Sequence, residues 1–421
     1  MGEATSDILR QRMLCSTSDY CNCRVTRSKN LMEFVEIHPA NEKQSKPSPR
    51  SGHRAVATDS DLWIWGGYFP RAPQDLPQAE SSMFRELWRF NFALKRWTCE
   101  KTTGDGPTLT LASHAVCLYQ QHLMFVFGGT GFPFGEDVSN DLYILDLNVL
   151  KWSKIKLSDQ PPEQVYGSSM LIKNEYLYIL CGTNSVRYNT DVYEIHLPTM
   201  KSKKIGTTFD EIEDPVDAGR YRQEAVLYEN KILLFGGGGV SGISFSLKII
   251  PEFDLMTHKW SLRRTTPDPI HNYPVDRKFH SVFKISNTRV LLFGGAHFDL
   301  DRSRHTLVEK NLWSFDLDRY EWSKLELQMI IPTYFHAAAM NRRGEIWLQG
   351  GVLLTDDDHT GEELTREKRI TNLFMCHAQP LRLQEIAWTN FLSKINDESL
   401  LTKPNVLSSL MIPKNFIERI H

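Results

Sequence analysis

Histidine, arginine and tyrosine side chains recur at a spacing that could gather them around one opening. Six residues each stand thirteen or fourteen positions before a glycine or cysteine that ends an apolar run: His53, His114, Ser168, Gln223, His280 and His336. Basic and aromatic residues lie just before these positions: Arg50, Tyr166, Arg220, Tyr221, Arg222, Arg277 and Tyr334. Guanidinium groups bind carboxylates through paired hydrogen bonds, and tyrosines add apolar walls with a hydroxyl group. The pattern therefore predicts a positive well that suits an acidic peptide or a free C-terminal carboxylate.

Each of these residue types also has a structural explanation. A histidine at a strand end can hydrogen-bond the neighbouring main chain, and an arginine can cap an adjacent loop in an ion pair. The four histidines at the equivalent positions, which we call the histidine column, could suggest a metal site. No nucleophile triad, phosphate loop or catalytic carboxylate pair occurs at a credible spacing. The GGGG at 236–239 follows a strand without opening a helix, so it does not predict a phosphate site. We expect a binding protein without catalytic residues, metal or cofactor.

An apolar run that ends in a glycine pair recurs through most of the chain, and such internal repeats decide the fold. The copies are LWIWGG, LMFVFGG, YLYILCG, KILLFGG, VLLFGG and EIWLQGG, with the first position of each pair at 66, 128, 181, 236, 294 and 350. Cys181 replaces the first glycine of the third copy. Intervals of 62, 53, 55, 58 and 56 residues are typical of kelch propellers.

A second motif follows the glycine pairs: an alternating aromatic strand, a polar turn and a tryptophan. The tryptophans are Trp97, Trp152, Trp260 and Trp322. This motif describes two antiparallel strands joined by a hairpin. With the glycine run and the strand before it, each repeat supplies the four strands of one blade. The chain is therefore predicted to be all-β, a six-bladed kelch β-propeller that buries the tryptophans between neighbouring blades.

The sixth repeat lacks its outer strand, which the N-terminus can supply. Leu31–Pro39, LMEFVEIHP, alternates like the outer strands of the other repeats. We expect it to complete blade 6 and close the ring. The predicted organisation is a disordered leader (1–30), the propeller (31–378) and short C-terminal helices (379–421), with an acidic insertion at 355–369.

Composition argues against several other classes of protein. The 421-residue chain has a formal net charge of −2, so it has no global basic field and nucleic acid is not an expected partner. It contains no run of eighteen apolar residues, and no membrane association is expected. Seven scattered cysteines favour a reducing compartment, cytoplasmic or nuclear, over a disulfide framework.

After Gln379 the composition changes to two short amphipathic segments. Apolar residues at i, i+4 and i+8 occur twice: Leu383, Ala387 and Phe391, then Ile412, Phe416 and Ile420. Each set predicts a stripe on a helix, and Pro413 can begin the second helix. Because the propeller is complete without this tail, we expect its apolar face to dock into a partner's groove. A helical cap on the propeller is the alternative.

Five segments carry a resemblance to a known family. They are FRELWRF (84–90), GGTGFPFGE (128–136), GRYRQE (219–224), PTYFHAAA (332–339) and LQEIAW (383–388). They closely resemble the kelch domain-containing protein 10 family, called Slim in insects, from about residue 31 to the C-terminus. The resemblance implies the substrate receptor of a cullin-2 RING ubiquitin ligase. Such a receptor would bind C-terminal degrons, which end in glycine for related proteins, and direct substrates to ubiquitination and proteasomal degradation.

The resemblance also implies roles for named residues. Leu383, Ala387 and Phe391 match a box that binds the Elongin B–Elongin C pair, with Ala387 where the pattern has Cys. A cullin-2 box matches Ile412, Pro413, Phe416 and Ile420. A relative grips the substrate carboxylate with arginines just after a glycine pair, where this chain reads GGGGVSGISFS. The degron site is therefore assigned to the rim: Arg50, His53, His114, Tyr166, Arg220, Tyr221, Arg222, Arg277, His280, Tyr334 and His336. The alternative function is a kelch scaffold outside the ligase system, associated with actin or regulating stress signalling.

Overall fold

The repeated strands pair into six sheets that follow one another around an axis in the computed structural model, and their pairs are antiparallel apart from one short parallel pair in the second sheet along the chain and another in the third. The structure describes residues 33–41, 43–70, 82–206, 219–301, 304–356, 365–379, 381–395, 400–401 and 403–420. The predicted leader, 1–30, lies outside these residues. We number the blades 1 to 6 in chain order.

The strands of the first three blades follow the N-terminal strand β1 (Val35–Glu36). Blade 1 contains β2 (Arg54–Ala57), β3 (Asp61–Trp65), β4 (Tyr68–Phe69), β5 (Ser82–Met83), β6 (Leu87–Asn91) and β7 (Arg96–Glu100). Blade 2 contains β8 (Thr103–Gly104), β9 (Ala115–Tyr119), β10 (Leu123–Phe127), β11 (Leu142–Asp146) and β12 (Lys151–Ile155). Blade 3 contains β13 (Ser158–Asp159), β14 (Ser169–Lys173), β15 (Tyr176–Thr183), β16 (Tyr188–His196) and β17 (Lys201–Gly206).

The remaining blades have the same plan, and three helices follow them. Blade 4 contains β18 (Glu224–Tyr228), β19 (Lys231–Phe235), β20 (Ile249–Asp254) and β21 (Lys259–Arg264). Blade 5 contains β22 (Ser281–Lys284), β23 (Arg289–Phe293), β24 (Ala296–Asp299), β25 (Arg304–Leu307), β26 (Asn311–Asp316) and β27 (Glu321–Gln328). Blade 6 contains β28 (Ala337–Met340), β29 (Glu345–Gln349), β30 (Val352–Asp356), β31 (Thr365–Arg369) and β32 (Leu373–His377). The helices are α1 (Leu383–Lys394), α2 (Pro404–Ser409) and α3 (Lys414–Ile417).

The N-terminal strand closes the ring. Strand β1 pairs antiparallel with β32, with Val35 opposite Met375 and Glu36 opposite Phe374, so blade 6 has the order β1-β32-β29-β28. Two distant parts of the chain thus share one sheet, which joins the first blade to the last. The predicted six-bladed propeller, closed by an N-terminal strand and followed by short helices, is confirmed.

The hydrophobic core lies between the blades. Trp152 packs with Trp65 at the boundary of blades 1 and 2, and Trp322 packs with Phe235 between blades 4 and 5. Trp97 and Trp260 are buried at two further boundaries. Ser202 holds the tryptophan position in blade 3, where it pairs with Ile195 and is buried. Burying one large aromatic side chain contributes roughly 2–3 kcal/mol, so these boundaries favour the closed ring.

The glycine pairs lie where adjacent blades come closest. Gly128 has a φ of +64°, and a Cβ built on it would lie 2.4 Å from the carbonyl oxygen of Val165. A side chain at this position would push blade 2 away from blade 3. The repeated glycine is therefore a requirement of blade packing.

The innermost strand of each blade lines a central channel of about 580 Å³, and these strands are β2, β9, β14, β18, β22 and β28. We call the face on which these strands begin the mouth. Arg54 of blade 1 and Glu224 of blade 4 form an ion pair of 3.1 Å between opposite sides of the channel. Among helices in the described ranges, none has the length and apolar character needed to span a membrane.

Candidate binding site at the mouth of the propeller

Six residues form a closed circle of main-chain hydrogen bonds at the mouth. In this mouth ring each N–H donates to the carbonyl of the equivalent residue in the preceding blade. The bonds are Gly52 to Phe335 (3.0 Å), Ser113 to Gly52 (2.8 Å), Gly167 to Ser113 (2.6 Å), Arg222 to Gly167 (2.7 Å), Phe279 to Arg222 (3.4 Å) and Phe335 to Phe279 (3.0 Å). The ring holds one residue from every blade at a fixed place around the axis.

All six ring residues have a left-handed backbone, with φ between +53° and +70°. Gly52 and Gly167 adopt this conformation readily, whereas Ser113, Arg222, Phe279 and Phe335 do so at a cost of about 1 kcal/mol each. Strain of this kind persists where the surrounding structure enforces it, and it is concentrated at functional sites. The strained ring therefore favours the mouth as the position of a binding site.

An aromatic pocket of about 210 Å³ opens beside the ring. Its walls are Tyr68, Ser113, Phe134, Tyr166, Tyr221, Phe279, His305, Tyr334, Phe335, Glu367 and Arg369. Three of the predicted tyrosines, Tyr166, Tyr221 and Tyr334, are thus brought together. Phe279 and Phe335 lie with ring centroids 4.5 Å apart, so they are in contact. The pocket can hold an apolar group while several hydroxyls fix its polar ends.

Arg222 crosses the mouth from blade 4 to blades 1 and 2. Its Nη2 and Nε donate to the Ser113 hydroxyl at 2.8 and 3.2 Å, and Nη2 also donates to the Gly52 carbonyl at 3.2 Å. The guanidinium lies 4.4 Å from the centre of the Phe335 ring. Burial lowers the pKa of Arg222 well below its ordinary value, because the charge has left water. These contacts place a buried cation against two residues that line the pocket.

The other three predicted arginines turn away from the mouth. Nη1 of each donates to the carbonyl of the first glycine in its own blade: Arg50 to Gly66 (3.2 Å), Arg220 to Gly236 (3.1 Å) and Arg277 to Gly294 (3.1 Å). All three side chains are buried, and Arg50 also pairs with Glu86 at 3.0 Å. The expected well of four guanidinium groups is therefore corrected, since these three hold their own loops and only Arg222 of the four contacts residues that line the pocket.

The histidine column lies inside the blade boundaries. A Cβ on Gly66 would lie 2.8 Å from Cε1 of His114, and Gly294 has the same relation to His336 at 2.6 Å. His53 and His280 take equivalent positions against Gly350 and Gly236. Burial lowers the pKa of all four histidines, which favours neutral rings. Their expected contact with a ligand at the rim is corrected, because they pack against glycines of the preceding blade.

Two charged residues of the pocket were not foreseen from the sequence. Arg369 donates from Nε to the Ser51 hydroxyl at 3.3 Å and from Nη2 to the Tyr68 hydroxyl at 3.2 Å. Glu367 lies 2.9 Å from Arg369 and accepts a 2.5 Å hydrogen bond from the Tyr334 hydroxyl. Both belong to β31, which forms a hairpin with β30 after the glycine pair of blade 6, as β4–β5 and β24–β25 do in blades 1 and 5. The sequence does contain a signal for Tyr68 as a residue of the mouth, because Tyr68 directly follows a glycine pair.

The C-terminal helix α1 has one buried face and one exposed face. Glu385 and Trp388 point inward, whereas Leu383 is 85% exposed, Ile386 is 41% exposed and Ala387 is also exposed. Phe391 is partly buried, in contact with Trp388. Most of the stripe predicted to bind a partner therefore faces away from the propeller.

The inner face of α1 belongs to a small core that holds the tail on blade 1. Its members are Trp388, Leu401, Leu407, Phe416, Ile417 and Ile420, with Ala93 and Leu94 of the β6–β7 turn against them. Arg419 donates to both oxygens of Glu385, at 2.7 and 2.9 Å. Asn91 of blade 1 donates to the Arg419 carbonyl at 3.2 Å. The tail is thus attached to the propeller at a defined place.

The second predicted stripe is largely inside this core. Phe416 and Ile420 are buried, Ile412 is half-buried, and Pro413 is exposed. Phe416 lies with its ring 5.0 Å from that of Trp388, so the tail itself covers the side chain. The expectation that Phe416 and Ile420 are presented to a cullin is corrected, because the α1 helix already occupies their apolar face.

The comparisons with known proteins agree with this architecture. The family description "KLHDC2/KLHL20/DRC7 Kelch-repeats domain" matches residues 31–238. Kelch domain-containing protein 10 of Xenopus tropicalis is 32% identical over 381 residues, which cover 90% of this chain and 87% of that protein. The Homo sapiens protein of that name is 31% identical over 376 residues, covering 89% and 80%. Kelch domain-containing protein 2 of Bos taurus is 26% identical over 329 residues, covering 72% and 76%. The chain belongs to the kelch domain-containing protein 10 family.

Proposed function

We propose that this protein is the substrate receptor of a cullin-2 RING ubiquitin ligase and binds the C-terminal tails of its substrates in the aromatic pocket. The kelch propeller suggests a protein-binding scaffold, and the proposal adds a ligand and a partner to that role. No chemistry is assigned to the chain itself. It would hold a substrate near the RING subunit, so that ubiquitin transfer by other subunits is favoured by proximity. Ubiquitination would then direct the substrate to the proteasome.

The observation that carries the proposal is the buried cation beside the pocket. Arg222 donates two hydrogen bonds to the hydroxyl of Ser113, a residue that lines the pocket. A carboxylate bound in the pocket would be attracted by this buried guanidinium. The aromatic walls exclude water and strengthen that attraction. A chain terminus supplies both parts of such a ligand, a carboxylate and the side chains that precede it.

The exposed face of α1 supports the second half of the proposal. Leu383, Ile386 and Ala387 form an apolar patch on a helix that other contacts already hold in place. An apolar helix face of this kind suits the groove of a second protein, and we assign it to Elongin B–Elongin C. Of the cullin-2 residues, Ile412 and Pro413 remain accessible and keep that assignment. We also propose action in the cytoplasm and nucleus, which microscopy of the tagged chain tests.

A peptide selection tests the pocket. Random peptides with a fixed C-terminal glycine, as free acids and as amides, are passed over the full-length protein. The proposal predicts enrichment of the free acids alone. Amides that bind equally well would contradict a carboxylate site, because an amide leaves the donors at the pocket without an anionic partner.

Co-purification from cells tests the tail. The wild-type chain is expected to recover Elongin B, Elongin C and cullin-2, and Leu383→Arg is expected to lose them. Met256→Arg makes the same change at a residue of blade 4 that is 73% exposed, and it should retain all three partners. Wild-type protein that recovers none of them would contradict the ligase assignment and leave the scaffold outside the ligase system as the alternative.

A further inference from the structure

We propose that the Glu367 side chain occupies the carboxylate subsite of the aromatic pocket and that the carboxylate of an incoming chain terminus replaces it on Arg369 and Tyr334. This inference rests on the proposed function and names the side chains that receive the ligand. It also predicts that the protein regulates its own pocket, because an internal anion competes with the substrate.

Arg369 and Tyr334, the two residues that would receive the ligand carboxylate, are fixed in place. Arg369 is held by the Ser51 and Tyr68 hydroxyls at 3.3 and 3.2 Å, and its side chain is only 7% exposed. Tyr334 is 2% exposed, and its main chain exchanges two hydrogen bonds with Val352, at 3.1 and 2.8 Å. A guanidinium and a hydroxyl are thus oriented toward one point without the help of Glu367. That point suits the two oxygens of one carboxylate.

The Glu367 side chain is held less tightly than Arg369 and Tyr334. The Glu367 side chain is 41% exposed, and its oxygens contact Arg369 at 2.9 Å and the Tyr334 hydroxyl at 2.5 Å. It projects from β31, which pairs with β30 in a two-stranded sheet apart from the main sheet of blade 6. The half-exposed Glu367 carboxylate can turn into water at little cost, whereas the Arg369 guanidinium on the same strand is buried and held by two hydroxyl groups.

The buried charge of Arg369 favours the exchange of the Glu367 carboxylate for the carboxylate of the substrate. An empty subsite would leave the Arg369 cation with little water and no carboxylate, which is unfavourable. Burial and the Glu367 carboxylate raise the pKa of Tyr334, so its hydroxyl remains protonated and able to donate. A substrate carboxylate would restore both contacts as Glu367 leaves. An amidated terminus would not, and Glu367 would then keep its place.

Removal of the competitor tests the inference. Glu367→Ala and Glu367→Gln are compared with wild type for binding of the free-acid peptide pool described above. We expect Glu367→Ala to lower the Kd about twofold to fivefold, the size of a half-exposed ion pair, and Glu367→Gln to lower it less. The affinity for amidated peptides should not change. Glu175→Ala removes an exposed carboxylate from the β14–β15 turn and controls for net charge.

The outcomes are distinct from those of the proposed function. If wild type selects free acids but neither Glu367 variant binds them more tightly, this inference is overturned and the proposed function stands. Weaker binding by both variants has the same meaning, because Glu367 would then support the pocket. If no protein selects free acids, both proposals are overturned. Glu367→Gln keeps a group that can accept from Tyr334, so it serves if the alanine variant is unstable.

Discussion

Arg222 of blade 4 donates two hydrogen bonds to the hydroxyl of Ser113 in blade 2, at 2.8 and 3.2 Å. Both residues belong to the mouth ring, in which six main-chain hydrogen bonds join all the blades. The side chain that carries the proposed recognition therefore belongs to the ring of hydrogen bonds that joins the blades. Preorganisation of this kind reduces the entropy that a ligand must lose on binding.

Arg222→Gly is expected to weaken recognition of the carboxylate without unfolding the protein. Blades 1 and 3 already have glycine at this ring position, Gly52 and Gly167, and glycine relieves the left-handed strain at φ +53°. We expect free-acid peptides to bind tenfold or more weakly, a loss of about 1.4 kcal/mol or more, with little change for amides. Calorimetry measures both affinities. An unchanged free-acid affinity in a folded variant would remove Arg222 from the site.

Gly128→Ala should be much more destabilising than Gly344→Ala. Both glycines have a positive φ, +64° and +77°, so both variants lose about 1 kcal/mol from backbone strain. Only at Gly128 would the added Cβ meet a carbonyl, that of Val165 at 2.4 Å, whereas the nearest atom at Gly344 is 3.7 Å away. We expect a further loss of roughly 2 kcal/mol or more at Gly128. Equal denaturant midpoints for the two variants would contradict the blade-contact explanation.

Acid should destabilise the protein through its buried histidines. Burial lowers the pKa of His336 from 6.5 to about 3. The unfolded state then binds more protons than the folded state between these pH values, so the stabilising contribution is complete above 6.5 and is lost as the pH falls toward about 3. The slope is about 1.4 kcal/mol per pH unit for each such histidine.

His336→Gln tests this pH dependence, because blade 4 already has Gln223 at the equivalent position. The free energy of unfolding, measured by urea titration at several pH values, should depend less steeply on pH in the variant, by about one proton. An identical slope in variant and wild type would show that His336 does not titrate on unfolding.

Glu385→Gln should release the C-terminal tail while the propeller stays intact. The substitution weakens two hydrogen bonds to Arg419 in a largely buried pair, with a local cost of about 1–3 kcal/mol. Hydrogen exchange of α1 and α3 should accelerate, and that of the blades should not. Glu418→Gln is the matched control, because Glu418 pairs with Lys414 in an exposed i,i+4 arrangement worth little. Similar exchange in both variants would mean that the Glu385 pair does not hold the tail.

The fold could be predicted from the sequence because every blade of a propeller needs the same residue types at the same packing positions. Glycine at the close contacts and tryptophan at the blade boundaries recur for physical reasons, so their spacing identified the blades. Closure by Leu31–Pro39 followed from one missing strand, and the observed strand is Val35–Glu36. Cys181 and Ser202 weakened the third repeat without obscuring it.

The site was less predictable, because the spacing of the repeats shows which loop carries a residue and does not show what its side chain contacts. Arg50 stands three positions before His53 and bonds the carbonyl of Gly66, and its equivalents in blades 4 and 5 bond their own glycines. Arg222 instead stands at the ring position of its loop and crosses the mouth. Arg369 and Glu367 lie on the second strand of the hairpin after the last glycine pair, and no sequence motif shared with the other repeats indicates them. In the tail, the stripe containing Phe416 has the same pattern whether its own chain or a partner covers it.

The most direct test of the central claim is a bridging experiment. Beads that carry free-acid peptides enriched by the protein are incubated with purified Elongin B–Elongin C, with and without the full-length chain. The account predicts that Elongin is retained only when the chain is present, that amidated peptides and Leu383→Arg each abolish retention, and that Arg222→Gly weakens it. Elongin retained equally by amidated beads, or by the Leu383→Arg chain, would contradict a receptor that joins a substrate terminus to the ligase through these two surfaces.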